Sequence, residues 1–287
     1  MPTAAGLKKK NAPKKSAKPA AATAAIRVGV GGWTFAPWRN NFYPGDLVQK
    51  RELEYASRQL TAIEVNGTFY GAQKPATYAK WASETPPGFV FSLKAPGHIT
   101  GRRVLADTGK AIDAFVFGGL EQLGDRLGPI LWQLPPHKAF DRADLAAFLE
   151  QLPRSIDARA LRHVLEVRHD SFRDPDYVAL ARKFGVATVF TDSDEYPSFA
   201  DVTGDFVYAR LMRSESAQKT GYRPKDLDAW AGRAREWAAG GEPKDLPRVA
   251  PAPKKAGAAR EVFIYFISAA KERNPAAAMA LLERLKN

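Results

Sequence analysis

A chain of 287 residues with 45% hydrophobic content can bury a sizeable core as one large domain or two small ones, and its lack of cysteine excludes disulfides, thiolate metal sites and a cysteine nucleophile. No apolar run reaches eighteen residues and no apolar stretch follows Lys8, Lys9 and Lys10, so neither a membrane span nor a secretory signal is expected, and the absence of cysteine fits a cytoplasm. The net charge of +12 sits mainly in two stretches: residues 1–25 hold six lysines and no acid, and residues 240–260 carry +3, leaving +3 for the rest.

Both stretches are rich in Ala, Pro and Lys and bury too little apolar area to order themselves, so both are expected to be disordered. The lysine tail has two readings: a solubilising extension, or a weak, non-specific contact to nucleic acid phosphates.

The first strand is predicted over residues 26–32 (IRVGVGG). Thr34 stands where the last glycine of G-x-G-x-x-G would be, and no phosphate loop with its lysine follows. The aromatic segment 33–44 (WTFAPWRNNFYP) reads as a packed plug under the barrel, built on Trp33, Trp38, Phe42 and Tyr43. A helical run with Leu53, Tyr55, Ala56 and Leu60 leads to strand two, 61–69, in which Ile63 and Val65 face one way and Glu64 and Asn66 the other. A helix around 77–83 precedes strand three, 89–95, where Ser92 and Lys94 alternate with Phe91 and Leu93.

A helix over 108–123 is followed by strand four, 129–134 (PILWQL), and Asp141 can cap a helix running to Leu152. Strand five, 163–169 (HVLEVRH), puts Val164, Glu166 and Arg168 on one face and Leu165 and Val167 on the other. Asp174-Pro175 starts a helix to about Phe184. Strand six is 187–192, and the segment 193–205 after it shows no helical period. Strand seven, 206–212 (FVYARLM), precedes a helix carrying Leu227, Trp230, Ala231, Ala234 and Trp237. The insertion 240–260 then leads to strand eight, 261–268 (EVFIYFIS), and Asn274-Pro275 is expected to cap the last helix.

Eight strands alternating almost throughout with helices predict an α/β fold, an irregular (β/α)8 TIM barrel over residues 26–287 that lacks one helix after strand six. Such barrels place their sites at the C-terminal strand ends, where this chain puts Glu64, Asn66, Lys94, Gln133, Glu166, Arg168, His169, Asp192 and Arg210.

Lys94, Arg168 and Arg210 suit a phosphate or carboxylate, and Asn66 and Gln133 suit hydroxyl or carbonyl groups. Glu64 and Glu166 are candidate general acid and base, with His169 and Asp192 as further substrate contacts. The structural alternative is a set of buried ion pairs, Glu64 with Arg168 or Glu166 with Arg210. His98, His137, His163 and His169 lack ligand spacing, so no metal is expected, and no particular cofactor is implied.

The segments GGWTFAPWRNNFYP, AIEVNGTFYGAQKPATYAKWASETPPGFVFSLKAPGHIT, LGPILWQLPP, LEVRHDSF, YARL, FIYF and NPAAA, in order from about residue 26 to 287, strongly resemble the domain-of-unknown-function-72 (YecE-like) family. The resemblance implies a TIM barrel and no particular reaction, because the family has no established activity. The chain departs from the family's pattern at Gly101 (usually histidine), Phe172 (usually tryptophan), Met212-Arg213 (usually His-Gly) and Ile267-Ser268 (usually Asn-Asn). Losing two rim histidines weakens a histidine-based or metal-based mechanism. Two functions follow as expectations: an enzyme acting on a small anionic or polyhydroxylated molecule, or a non-catalytic barrel tethered to nucleic acid by its tail.

Overall fold

The computed structural model describes residues 24–251 and 257–286. Eight strands form a closed barrel: β1 (Ile26–Gly31), β2 (Ala62–Val65), β3 (Val90–Lys94), β4 (Leu127–Gln133), β5 (His163–Glu166), β6 (Ala187–Asp192), β7 (Phe206–Leu211) and β8 (Glu261–Phe266). Each strand runs parallel to its chain neighbours, and β8 closes on β1, with Val28 beside Ile264. The outer layer holds α1 (Glu52–Gln59), α2 (Pro75–Glu84), α3 (Gly109–Val116), α4 (Arg142–Gln151), α5 (Pro175–Phe184), α6 (Pro224–Ala238) and α7 (Asn274–Leu285). The expected irregularity is present: no helix lies between β6 and β7. Among the described residues no helix is long and apolar enough to cross a membrane.

The two-residue period of each strand sorts its side chains into two cores. Val28, Val30, Ile63, Val65, Phe91, Leu93, Trp132 and Leu165 face outward, buried under the helices. Ala62, Val90, Leu131, Val164, Val189, Phe206, Tyr208, Phe263 and Tyr265 fill the interior. Along the same inward face, two residues later (four in β3), come Glu64, Lys94, Gln133, Glu166 and Arg210, all buried. The interior is therefore apolar through its middle and charged at its C-terminal end, while Arg27, Arg162 and Glu261 close its N-terminal end.

Local signals set several boundaries. The Asp141 carboxylate accepts from the Ala143 and Asp144 amides, capping α4, and Asp174 accepts from the Asp176 amide ahead of Pro175. Gly185 ends α5 with φ of 65°, a left-handed residue where glycine carries no Cβ penalty. Other boundaries differ from expectation. Strand two stops at Val65, because Gly67–Phe69 turns into a short helical turn. The helix expected to reach Leu123 ends at Val116, and a kinked run of 3₁₀ turns covers Leu120–Arg126.

Asn274 is not a cap: it already has helical φ and ψ, accepts from Ser214 Oγ at 2.8 Å and donates to the Ser268 carbonyl. The aromatic plug lies at the mouth of the barrel, not under it. It follows the C-terminal end of β1, and the Trp38 indole donates to the Lys271 carbonyl near the start of α7.

The insertion at 240–260 packs where it is described. Leu246 is buried, the Asp201 carboxylate accepts from the Val249 and Ala250 amides, and Arg260 donates to the Gly240 carbonyl. Side-chain and backbone hydrogen bonds order a segment whose composition alone reads as disordered. Residues 252–256, and the lysine tail through residue 23 with its expected nucleic acid contact, lie outside the described residues.

Candidate functional site

The C-terminal ends of β2, β5 and β7 bring a guanidinium between two carboxylates. Arg210 donates to Glu64 through Nε (3.1 Å) and Nη2 (3.0 Å), and to Glu166 through Nη1 (2.6 Å). All three side chains are at most 3% exposed. Of the two ion pairs weighed from the sequence, Glu166 with Arg210 forms, whereas Glu64 pairs with Arg210 and not with Arg168. Arg168 instead reaches Glu166 Oε1 through Nε and Nη2, at 3.1 and 3.0 Å. Gln133 donates to Glu166 Oε2 at 2.5 Å, and the Tyr208 hydroxyl donates to Glu64 Oε2 at 2.8 Å. Every carboxylate oxygen in this group is hydrogen-bonded, which is the condition for tolerating buried charge.

Burial by itself would push the Glu166 carboxyl up, but Arg210 and Arg168, helped by the Gln133 amide, hold it down at about 2. Burial likewise works against the charge on Arg210, and Glu166 and Glu64 more than offset it, so the guanidinium is held charged still more firmly. Tyr208 is pushed well up, first by burial and then by Glu64, and stays a neutral donor.

Lys94 stands apart. It ends β3 at 8% exposure, and its ammonium makes no hydrogen bond or ion pair among the described residues. Its Nζ lies 3.9 Å from the centroid of the Phe69 ring. Burial first, then the nearby Arg210 charge, lower its pKa to about 8, against the partial support of Glu64 and Glu166.

These groups open on a cavity of about 580 Å³ whose walls include Lys94, Arg168, Arg210, Gln133 and Asn66 among the expected residues. Glu64 and Glu166 lie behind Arg210 and do not line it. β1 contributes backbone only: a methyl on Gly31 would stand 2.8 Å from both Asn66 Nδ2 and Ile267 Cδ1.

His169 and Asp192 are not brought into this group. The His169 ring caps the turn Asp170–Phe172 by accepting from the Ser171 amide, and Asp192 pairs with Arg213 at 3.0 Å. Neither lines the cavity. Asp192 has the outward parity of Phe190 on the same strand, opposite to the inward Val189, and Arg213 meets it there. At Ser268 and Ala269 φ is 57° and 46°. Neither serine nor alanine favours this left-handed geometry.

Sequence reasoning missed three kinds of contributor. Trp33 and Trp81, edge to face at 5.1 Å, form an apolar wall of the cavity. Tyr196, from the helix-less segment after β6, lies under the Arg168 guanidinium, whose Cζ is 4.2 Å from the ring centroid. Tyr208 and Tyr265 share the inward face with Arg210, a signal that strand parity could have supplied. The remaining buried histidine, His163, is structural: it accepts from the Trp132 indole, contacts the Pro153 carbonyl, and is pushed down to about 4 by burial. Among the described residues no group of three or more His, Asp or Glu is disposed to hold a metal ion.

Fold and site together define a closed parallel barrel with a charged interior at its C-terminal mouth. The family described as "Protein of unknown function DUF72" matches residues 27–287, and the chain belongs to it. A curated relative, the UPF0759 protein YunF of Bacillus subtilis (strain 168), is 28% identical over 116 residues, which is 39% of this chain and 40% of the relative. The matched segment therefore spans about two fifths of that relative's length. A DUF72 family protein from Thermotoga maritima MSB8 superposes with a TM-score of 0.70 at 21% identity, covering 92% of this chain and all of that one. One from Enterococcus faecalis V583 gives 0.65 at 16% identity, covering 92% and 98%. At these identities the solved structures speak for the fold alone.

Proposed function

We propose that the chain is an enzyme whose C-terminal barrel mouth binds a small, oxygen-rich anion and acts on it. One observation carries this reading: three cations face two carboxylates, and the third, Lys94, ends at the cavity with no counter-ion in contact among the described residues. A buried ammonium without a counter-ion is costly, and an anionic ligand removes that cost. Arg168 Nη1 makes no hydrogen bond among the described residues, and Arg168, Asn66 and Gln133 line the same space for anionic, hydroxyl or carbonyl groups.

In this reading Glu64 and Glu166 are not the acid and base. Neither lines the cavity, and the Glu166 carboxyl, held at about 2, has no proton to donate at neutral pH. Both glutamates fix the position of Arg210. Lys94 is the group whose protonation changes near pH 8.

Titrating phosphate into the protein and following its melting temperature tests the proposal. At about 100 times Kd the expected gain is about 2.7 kcal/mol, a rise of several degrees. Lys94→Met is expected to fold and to lose that rise. An equal rise in parent and variant would place the anion elsewhere and end this reading.

A further inference from the structure

We infer that Lys94 is a covalent nucleophile that forms an imine with the carbonyl carbon of a small oxo acid, whose carboxylate lies against Arg168. This rests on the anion-binding reading of the same cavity and names the substrate class.

The setting of Lys94 is built, not incidental. Its carbonyl accepts from Thr68 Oγ1 at 2.7 Å, which fixes the strand end relative to the turn Gly67–Phe69. That turn sets the Phe69 ring under Nζ. Gly97 leaves room for the ring, since a methyl there would stand 2.5 Å from Phe69 Cζ. A long flexible side chain is thus held with its nitrogen at the cavity, beside aromatic carbon and cations, and among the described residues no carboxylate is in hydrogen-bonding contact with it.

Those are the conditions under which a lysine amine becomes nucleophilic: desolvation and a neighbouring positive charge both favour the unprotonated form. A lysine placed only to bind an anion gains nothing from losing its own proton near neutral pH. Lysines on the surface, with a pKa near 10.4, stay protonated under the same conditions.

The step balances without an oxidant or reductant. The Nζ lone pair attacks the carbonyl carbon, and the C=O π pair moves to oxygen. A proton passes from nitrogen to that oxygen through water in the cavity, giving a carbinolamine. The nitrogen lone pair then closes the C=N bond as the C–O bond breaks, and the remaining N–H proton passes through the same water to the departing oxygen, which leaves as water. Amine and carbonyl become imine and water.

Arg168 has Nη1 free to hold the carboxylate end of such a substrate. Asn66 lines the cavity where it can orient a second oxygen, and Trp33 and Trp81 keep one side dry.

The test uses the full chain, pyruvate or glyoxylate as probe, and borohydride to reduce any imine to a stable secondary amine. Peptide mass mapping locates the adduct. The expected result is labelling at Lys94 at least tenfold above any surface lysine, with a rate that rises through about pH 8. Phosphate is expected to suppress it, Arg168→Met to slow it about tenfold, and acetone, which lacks the carboxylate, to label Lys94 poorly. Adducts spread evenly over the lysines, or absent from Lys94, would overturn the inference, and mapping the parent protein gives this answer whether or not any variant folds. If phosphate still raises the melting temperature in that case, the anion site stands and only the nucleophile falls. If phosphate does nothing either, both fail.

Discussion

At the N-terminal end of the barrel Arg27 and Arg162 share the single carboxylate of Glu261, with Arg162 lying over the Phe263 ring. At the C-terminal end Lys94, Arg168 and Arg210 face Glu64 and Glu166. Cations exceed carboxylates by one at both ends, so charge count does not tell a structural plug from a site. The difference lies in contact and exposure. At the N-terminal end both arginines touch the carboxylate and keep 21% and 27% of their side chains in water. At the C-terminal end the extra cation touches no carboxylate and is nearly out of water. The proposed anion site rests on an unpaired buried charge that opens on a cavity, whereas the N-terminal pair is matched and partly exposed.

Breaking the C-terminal network sharpens the contrast most. Arg210→Met leaves two carboxylates buried without their shared partner, and removing one member of such a group typically costs roughly 3–5 kcal/mol. Chemical denaturation of the variant is expected to show a loss of that size. A loss under about 1 kcal/mol would mean that Glu64 and Glu166 find water or protons instead.

Acid is expected to act next most strongly. Glu166 has a folded-state pKa of about 2 against 4.5 when free, so the unfolded chain binds more protons between these values. Its contribution is present above pH 4.5 and fades as pH falls toward 2, on the order of 3 kcal/mol in all. His163, with its pKa lowered to about 4, adds an earlier loss between 6.5 and 4. The share due to Glu166 is read from parent and Glu166→Gln together: their stability difference should hold above pH 4.5 and shrink below it. A difference flat down to pH 2 would rule out an ionised, network-bound Glu166.

Lys94→Met works in the opposite direction. It replaces an unpaired ammonium over Phe69 with an apolar chain of similar length, and at pH 7 it is expected to stabilise the ligand-free protein by about 1–2 kcal/mol. The folded pKa of Lys94 lies near 8, below the free value of 10.5, so the parent gains stability as pH rises between them. The advantage of the variant should therefore shrink over that range. A destabilised variant at pH 7 would show that Lys94 supports the fold and is not held at its expense.

The smallest effect belongs to the N-terminal end. Glu261→Gln leaves two half-wet arginines that water can serve, and the expected cost is roughly 0.5–1 kcal/mol in urea denaturation. A loss matching that of Arg210→Met would erase the distinction between the two ends.

The sequence alone determined the barrel and the charged end of its interior. Eight alternating units and the two-residue period inside each strand are local, so Glu64, Lys94, Gln133, Glu166 and Arg210 could be assigned to one inward face before any fold was known. Only the tertiary structure decided the partnerships. Arg210 meets Glu64 across 146 residues of chain, and strand order and register, not spacing, set that contact. The same holds for Asn274, whose side chain meets Ser214 where a cap was expected, and for the packed part of the insertion, held by Asp201. His169 lies beyond the end of β5 with parity opposite to Glu166, and Asp192 has parity opposite to the inward Val189, so both fall away from the cavity and meet Ser171 and Arg213 instead. Composition and period decide which residues can reach the interior. Which cation is left without a carboxylate is a property of the closed barrel, because it depends on where three separate strands end against one another.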